Sequence, residues 1–171
     1  MSNKIQLLPV AYLPQLADQP LAWSLKLWGE GKDEFSAEDW RKFYSNALTS
    51  NYQSWDFNAT DQELLYLAIR GKDGVDEVVA AIALCDFDDF EELRIYKPWI
   101  AAFVVREDLR GKGVGSEVLK LIETQATAFG IKVVYLWTEG LANFYCKRGY
   151  FQVEQLVKGH RTIDVLKKEL S

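Results

Sequence analysis

The stretch that decides the fold is Arg110-Gly111-Lys112-Gly113-Val114-Gly115, which lies between an apolar segment and an amphipathic one. Glycine has no Cβ, so backbone N–H groups at such positions can close directly on an anionic ligand. The start of a helix adds its unpaired N–H groups and the positive end of its dipole. Arg110 and Lys112 bring two positive charges to the same place. The stretch therefore predicts a phosphate-binding loop at the N-terminus of a helix.

The segments around this loop predict a strand–helix–strand unit. Trp99 to Val105 is a continuous apolar run, typical of a strand that is buried on both faces. Val114 to Phe129 has one apolar stripe at helical spacing, and Gly130 is a natural residue to end it. Ile131 to Trp137 is a second apolar strand. A right-handed crossover would make these two strands parallel.

The rest of the chain predicts additional strands and helices, which we give in chain order. They are a strand at Ile5–Val10, a helix from Leu13 to Trp28 that Gly29 and Gly31 end, a helix from the capping box Ser36–Asp39 to Leu48, a hairpin of Glu63–Arg70 and Glu77–Cys85 around Gly71-Lys72-Asp73-Gly74, a short helix over Leu141–Arg148, and a hairpin of Phe151–Val157 and Thr162–Leu166. This order predicts a single α+β domain over residues 1–171. Its mixed sheet has about seven mostly antiparallel strands, a central parallel pair and flanking helices.

The composition is that of a globular chain, with 171 residues, 49% of them apolar and 26% charged. The formal charge of −5 argues against nucleic acid as a partner. No apolar run approaches a membrane span and Met1–Lys4 lacks a signal-peptide core, so we expect no membrane association and a cytoplasmic location. Cys85 and Cys146, with His160 as the one histidine, form neither a disulfide framework nor a zinc site. We expect two packed, reduced thiols and no metal, and assign His160 no role.

Two other phosphate-binding patterns fit this loop poorly. A Walker loop requires G-x-x-x-x-G-K-S/T, which the chain lacks. A dinucleotide fingerprint requires G-x-G-x-x-G directly after a strand, but here the third glycine is Ser116 and Arg106 to Arg110 intervene. Glu139, the candidate ribose-binding acid, follows Gly111 by 28 residues rather than by about 20. A dehydrogenase is therefore a weak alternative.

A third pattern fits, because the loop resembles the acetyl-CoA signature of the GNAT family of N-acetyltransferases. In that family a strand is followed by glutamine or arginine, two residues, glycine, one residue, and glycine or alanine; Arg110, Gly113 and Gly115 occupy these positions. A second landmark is similar as well: Tyr145, three residues, Gly149 and Tyr150 follow a strand and a short helix. The resemblance extends from about residue 63 to 166 and implies the GNAT fold.

The resemblance implies a set of acetyl-CoA contacts. The pyrophosphate would lie on the backbone amides of the loop, which consists of Arg110, Gly111, Lys112, Gly113, Val114, Gly115 and Ser116. The pantetheine arm would lie along the preceding strand, beside Phe103, Val104 and Val105. Thr138 takes the place of the family's usual asparagine, seven residues before the tyrosine, and Asn143 is a second, more solvated candidate. Tyr145 would lie beside the sulfur, where a phenol with a pKa near ~10 can protonate a thiolate with a pKa near ~8.5.

The acceptor side has weaker sequence signals. The family's frequent glutamate early in the fourth strand corresponds to Trp99 here, so we place an acceptor contact at Trp99 and seek the acid elsewhere. Asp86, Glu91 and Glu92 belong to an acidic loop that could attract an ammonium group and accept its proton. A solvated loop is an equally good interpretation of these acids. The aromatic residues Trp23, Trp28, Tyr96 and Trp99 could line an acceptor cleft and make cation–π contacts with an amine, but we expect Trp23 and Trp28 to be core.

Together these features predict transfer of an acetyl group from acetyl-CoA to the primary amine of a small molecule, peptide or protein. The chain would act as a monomer or homodimer. The alternative, favoured by the missing early-strand acid, is an acyl-CoA-binding sensor without catalysis. Retention of Tyr145 opposes that alternative.

Overall fold

The computed structural model describes residues 4–29, 35–72 and 74–171. Within these ranges the chain forms seven strands, four α-helices and several short 3-10 turns. The strands are β1 Ile5–Pro9, β2 Glu63–Lys72, β3 Val75–Cys85, β4 Trp99–Val105, β5 Val133–Thr138, β6 Phe151–Lys158 and β7 Arg161–Glu169. The helices are α1 Asp18–Trp28, α2 Ala37–Ala47, α3 Val114–Ala128 and α4 Ala142–Cys146.

The strands form one mixed sheet in the order β1-β2-β3-β4-β5-β7-β6. Every neighbouring pair is antiparallel except β4 and β5, which are parallel. The predicted α+β fold with a central parallel pair is therefore confirmed. The helix predicted from Leu13 begins only at Asp18, because Pro14 opens a separate 3-10 turn over Pro14–Leu16. The turn residues predicted at Gly31 and Asp73 lie outside the described residues.

Helices cover both faces of the sheet. Alternate residues of β2 show this: Leu65 and Leu67 pack in the core beneath α1 and α2, whereas Leu64 and Tyr66 pack in the core beneath α3. Burial on both faces explains why the central strands are continuous apolar runs rather than alternating ones. The capping box that starts α2 is present, since Ser36 Oγ accepts the Asp39 N–H at 3.1 Å and Asp39 accepts the Ser36 N–H at 2.9 Å.

Strand β4 is irregular along both of its edges. On the β3 side the register shifts between the pairs Ala81–Val104 and Ala83–Ala101, which leaves one extra residue on β4. Ala102 lies in this bulge with a left-handed φ of 51°. On the β5 side, the described residues form a single partner pair, Trp99–Tyr135. Past Trp99 the two strands therefore diverge and leave a gap in the middle of the sheet.

The structure bears on two expectations about the whole chain, one for membrane-spanning segments and one for the cysteines. None of the described helices has the length and apolar character needed to cross a bilayer. Cys85 is buried, as expected, but Cys146 is exposed. The prediction of two packed thiols was therefore wrong for Cys146, because the short helix α4 has an outer side that faces solvent.

Candidate active site

The glycine-rich loop forms the N-terminus of α3. Gly111 and Gly113 adopt left-handed φ values of 74° and 86°, a conformation that strains residues with a Cβ. Gly113 is the N-cap, and the first α-helical hydrogen bond runs from the Glu117 N–H to the Gly113 carbonyl at 3.2 Å. The N–H groups of residues 114–116 therefore lack intrahelical acceptors, and no side chain caps this end of the helix.

The space around the loop suits a bulky anion. A Cβ built on Gly111 or Gly113 would meet nothing within 4 Å. A Cβ on Gly115 would lie 3.6 Å from Val105 Cγ2 and 3.7 Å from Phe103 Cζ, so this residue rests directly against the end of β4. Free N–H groups, a helix dipole and open space together fit a pyrophosphate.

A basic concavity of about 400 Å³ adjoins the loop at Ser116. Lys120, Lys147 and Arg148 line it, and the Arg148 Nε–H donates to Ser116 Oγ at 2.8 Å. At the loop itself, the Arg110 Nε–H donates to the Val105 carbonyl at 3.0 Å and ties the loop to β4. The concavity offers positive charge for phosphate groups that extend beyond the loop.

A second cavity, of about 320 Å³, passes through the gap between β4 and β5. We call it the through-sheet cavity. Phe103 and Tyr145, which pack with the core beneath α3, line it together with Trp40 and Phe43 from the core beneath α2. The cavity thus joins the two faces of the sheet at the point where β4 leaves β5.

Aromatic rings form the wall of this cavity on the α1 and α2 side. Trp28 and Trp40 stack with ring centroids 5.2 Å apart and an interplanar angle of 15°. Phe35 meets Trp40 edge to face at 5.4 Å, and Phe43 lies 6.0 Å from Trp40. The expectation that Trp28 is simply core was therefore incomplete, because Trp28 also lines the cavity, whereas Trp23 packs against the core as expected.

Carboxylates dominate the polar part of the same lining, which also includes Gln62 and Thr138 and contains no lysine, arginine or histidine among the described residues. The acids are Asp61, Glu63, Asp88, Asp89 and Glu139. Glu139 is neutralised by Arg161, at 2.6 Å. Glu63 Oε2 is buried without a hydrogen-bond partner among the described residues. The cavity therefore has an excess of negative charge.

The environment raises the pKa of two of these acids. Burial is the main cause at Glu63, and the nearby charge of Asp61 adds to it, while Lys42 opposes the shift. Burial also raises the pKa of Asp88, with the Asp89 charge as the second cause and the Trp137 side chain opposing. Both carboxyl groups are therefore stronger bases than an exposed acid, and an approaching cation would stabilise their charged forms.

Tyr145 lies on the opposite side of the cavity, at the end of α4. Its ring packs edge to face on Phe144, with centroids 5.0 Å apart, and contacts Tyr150 at 5.7 Å. Burial raises the pKa of Tyr145 to about 12, and Arg148 opposes the shift. The phenol therefore keeps its proton at neutral pH and is available as a hydrogen-bond donor.

The residues after Tyr145 explain the spacing of the second motif. Gly149 has a φ of 95°, which turns the chain out of α4 and brings the Tyr150 N–H to the Tyr145 carbonyl at 3.2 Å. The Tyr150 hydroxyl donates to Glu123 Oε2 at 2.7 Å, and Lys168 Nζ donates to Glu123 Oε1 at 2.8 Å. This buried network anchors the end of α4 to α3 and β7.

The structure places the predicted donor-side residues close together. Phe103, Thr138 and Tyr145 line the through-sheet cavity, and residues 110–116 lie at the end of β4 beside it. Val104 is buried and pairs with Ala81. Asn143 is exposed at the start of α4 and does not line the cavity.

The four residues predicted on the acceptor side lie outside the cavity lining. The Asp86 carboxylate accepts the Gln62 N–H at 2.8 Å and ties β3 to the start of β2. Glu91 pairs with Arg94 at 2.5 Å, and Glu92 pairs with Lys158, both on the exposed surface. Trp99 is fully buried, and its indole N–H donates to the Tyr96 carbonyl at 2.7 Å.

Most residues that line the cavity instead were not predicted from the sequence. The acidic loop was predicted without the inward position of Asp88, and Glu63 was predicted only as the start of a strand. Trp40 and Phe43 lie on the buried stripe of α2, which is the one signal that could have pointed to them. That stripe is equally typical of a helix that packs on a core.

Fold and site together define a class of protein that has an uncapped, glycine-rich helix N-terminus beside a gap between two parallel strands. The chain belongs to the acetyltransferase (GNAT) family, whose model matches residues 32–150. It is similar in fold to an acetyltransferase of the GNAT family from Staphylococcus aureus Mu50, at 15% identity over 98% of this chain and 100% of the other, with a TM-score of 0.67. An aminoglycoside 6'-N-acetyltransferase complexed with coenzyme A gives 16% identity over 98% and 97% of the two chains and a TM-score of 0.67. An aminoglycoside 6'-acetyltransferase type Ii gives 19% identity, the same coverage and a TM-score of 0.66.

Proposed function

We propose that this protein transfers an acetyl group from acetyl-CoA to a primary amine. The observation that carries the proposal is the through-sheet cavity, which connects Tyr145 on one face of the sheet with an aromatic and acidic cleft on the other. The glycine loop lies at the end of β4 beside this cavity. A structural neighbour complexed with coenzyme A supports the same donor.

The donor would be held by backbone and basic side chains. Residues 110–116 would take the pyrophosphate, and Lys120, Lys147 and Arg148 would take further phosphate charge. The pantetheine arm carries amides that can pair with an open strand edge, and β4 offers such an edge along Phe103 to Val105. The thioester would then lie in the gap, close to Tyr145.

The acceptor would approach from the α1 and α2 side. An alkyl ammonium with a pKa near ~10.4 must lose a proton at a cost of about 4.6 kcal/mol at pH 7, and a carboxylate or water in the cavity would receive it. The nitrogen then attacks the thioester carbonyl carbon, whose oxygen would be stabilised by a backbone N–H near Val105. Since the Arg106 N–H donates to Val79 on β3, the alternation along the strand turns the Val105 N–H towards the gap.

Collapse of the tetrahedral intermediate breaks the C–S bond, and the sulfur leaves as a thiolate that ends as the thiol. Tyr145 would donate a hydrogen bond to this sulfur as its charge develops. Because the pKa of Tyr145 is raised to about 12, above the ~8.5 of a thiol, we expect it to stabilise the leaving group mainly as a donor, with solvent completing the proton balance.

The test is Tyr145→Phe, measured by thiol release with acetyl-CoA and an amine panel. A hydrogen bond to a charged group contributes about 1.5–3 kcal/mol, so we expect kcat to fall about 10- to 100-fold. Acetyl-CoA affinity should change little. Tyr12→Phe is the matched control, since Tyr12 is 59% exposed and does not line the cavity.

Three outcomes separate the hypotheses. A full-rate Tyr145→Phe enzyme would remove the phenol from the mechanism. Thermal stabilisation of the wild type by acetyl-CoA without thiol release for any amine would indicate an acyl-CoA-binding module. Stabilisation by NAD instead of acetyl-CoA would contradict the proposal altogether.

A further inference from the structure

The Arg148 side chain connects the N-terminus of α3 with the C-terminal turn of α4. Its Nε–H donates to Ser116 Oγ at 2.8 Å, and an Nη1–H donates to the Phe144 carbonyl at 2.6 Å. The guanidinium carbon also lies 3.8 Å from the centre of the Phe144 ring. Because a guanidinium holds its donors in a rigid planar fork, these contacts together fix the position of α4 relative to Ser116.

The last turn of α4 takes one of its hydrogen bonds from this side chain. The backbone N–H of Arg148 donates to the Tyr145 carbonyl at 2.8 Å, so the Phe144 carbonyl receives its donor from the guanidinium instead. The final carbonyls of a helix lack intrahelical donors, and a basic side chain can satisfy them. A helix of five residues is too short to be stable through its own hydrogen bonds, so contacts of this kind decide where it lies.

Tyr145 lies against the same contacts. Its ring packs edge to face on Phe144, with centroids 5.0 Å apart. A Cβ built on Gly115 would lie 4.0 Å from Phe144 Cζ, so the Phe144 ring also rests on the first turn of α3. Burial raises the pKa of Tyr145, and the Arg148 charge opposes this shift, so the guanidinium acts on the phenol electrostatically as well. A displacement of Arg148 would therefore be felt at Tyr145.

The Ser116 hydroxyl lies where it can join the phosphate-binding loop to Arg148. The backbone N–H of Ser116 is one of the three at the start of α3 that lack intrahelical acceptors, and its Oγ accepts the Arg148 Nε–H. A hydroxyl has one proton to donate and two lone pairs. The proton donates to no described residue, so it is available to a phosphate oxygen at the helix N-terminus. A phosphate that accepts it makes Oγ a stronger acceptor, because consecutive hydrogen bonds polarise one another.

We propose that Arg148 is a positioning residue that couples the phosphate-binding loop to Tyr145. A pyrophosphate on the loop accepts the Ser116 proton, strengthens the hydrogen bond between Ser116 and Arg148, and thereby fixes the turn of α4 that carries the phenol. The coupling rests on the proposed acetyl transfer and adds regulation to it, since donor binding itself completes the site of the leaving group. The phosphate end of acetyl-CoA then contributes to kcat as well as to binding.

Steady-state kinetics with acetyl-CoA separate this coupling from simple phosphate binding. Arg148→Met keeps an unbranched stem over the Phe144 ring but has no donors, so the phenol loses its orientation and kcat should fall by at least about fivefold, while KM rises. Arg148→Lys keeps the charge but not the fork, so KM should return towards the wild-type value while kcat stays low. In the matched control Lys147→Met, which removes the neighbouring charge of the same concavity, KM should rise without a fall in kcat.

A double-mutant cycle shows whether Arg148 acts through Tyr145. If it does, Arg148→Met lowers kcat in the wild type but has little further effect on kcat in Tyr145→Phe. Equal reductions in the two backgrounds would overturn the inference. So would a full kcat in Arg148→Met, or a kcat that Arg148→Lys restores.

Alkylation of Cys146 gives a readout that does not depend on turnover. Cys146 follows Tyr145 in α4 and is exposed, whereas Cys85 is buried, so N-ethylmaleimide should label Cys146 alone. Saturating inorganic pyrophosphate should slow this labelling by at least about threefold in the wild type, because a bound ligand stabilises the ordered turn, and much less in Arg148→Met. An equal effect in both proteins, or no effect in the wild type, would refute the coupling. Slowing that depends on Arg148, without thiol release for any amine, would support the coupling and contradict acetyl transfer.

Discussion

Two glycines at opposite ends of α3 allow folding and donor binding to be separated. Gly113 and Gly130 both have a φ of 86°, and a Cβ on either would meet nothing within 4 Å. Replacing either with alanine therefore introduces the same backbone strain and no clash. Forcing a residue with a Cβ into the left-handed region costs about 1–2 kcal/mol, so both variants should lose about that much free energy of unfolding.

The two substitutions should differ in their effect on the affinity for acetyl-CoA. Gly113 is the N-cap beneath the free N–H groups of residues 114–116, whereas Gly130 follows the C-terminus of the helix, on the far side from the loop. If the loop holds the pyrophosphate, Gly113→Ala displaces its donors and the Kd for acetyl-CoA rises by at least about tenfold, which is ~1.4 kcal/mol. Gly130→Ala should leave the Kd unchanged.

Urea unfolding followed by tryptophan fluorescence measures the first effect, and calorimetric titration with acetyl-CoA measures the second. Each variant is compared with the wild type at the same temperature and salt concentration. Equal Kd values for Gly113→Ala and Gly130→Ala would refute the assignment of the loop as the phosphate site. Unequal losses of stability would show that the two positions do not share the same strain, and the comparison would then have no matched control.

Three other predictions concern the core and the charged walls. Tyr150→Phe removes a hydrogen bond to buried Glu123, so the free energy of unfolding from urea titration should fall by about 1–3 kcal/mol, and an unchanged value would contradict the anchoring network. Because the folded-state pKa of Glu63 is raised, its charge destabilises the fold at pH values above 4.5, the ordinary pKa of a glutamate. Glu63→Gln should therefore be more stable than the wild type at pH 7, and the difference in the free energy of unfolding should vanish as the pH falls below 4.5. A difference that is constant with pH would argue against a buried charge. The double change Lys120→Ala and Lys147→Ala should weaken CoA binding in calorimetry and reduce its salt dependence, and an unaltered salt dependence would place the phosphates elsewhere.

The parts of the fold that sequence predicts well are those fixed by local signals. The unit from β4 to β5 is marked by apolar runs, a helical stripe and glycines at both ends of α3, and the structure has these elements within two residues of their predicted bounds. The capping box at Ser36 is equally local. The late start of α1 was missed because Pro14 is compatible both with the first turn of a helix and with a separate 3-10 turn.

The candidate site also has one part that local sequence signals predict and another part that they do not. The glycine loop and Tyr145 belong to contiguous motifs, so their spacing is visible in the sequence. The acidic end of the cavity is assembled from β2, the loop after β3 and helix α2, and no local pattern connects Glu63, Asp88 and Trp40. Asp86 and Asp88 are two residues apart with similar neighbours, yet one binds the backbone of Gln62 and the other lines the cavity. Which acid turns inwards depends on tertiary contacts that composition does not encode.

The topology explains why the loop and the cavity lie together. A parallel pair needs a crossover, and α3 is the crossover between β4 and β5, so its N-terminus must begin just after the C-terminal end of β4. The single pair Trp99–Tyr135 lies at the start of β4, and the strands separate towards that C-terminal end. The gap is therefore widest where the helix dipole and the free N–H groups point. A sheet in which β4 and β5 paired along their whole length would keep the loop but close the passage between Tyr145 and the acidic cleft. The divergence of two strands, rather than any single side chain, is what makes a phosphate-binding loop part of a transferase site.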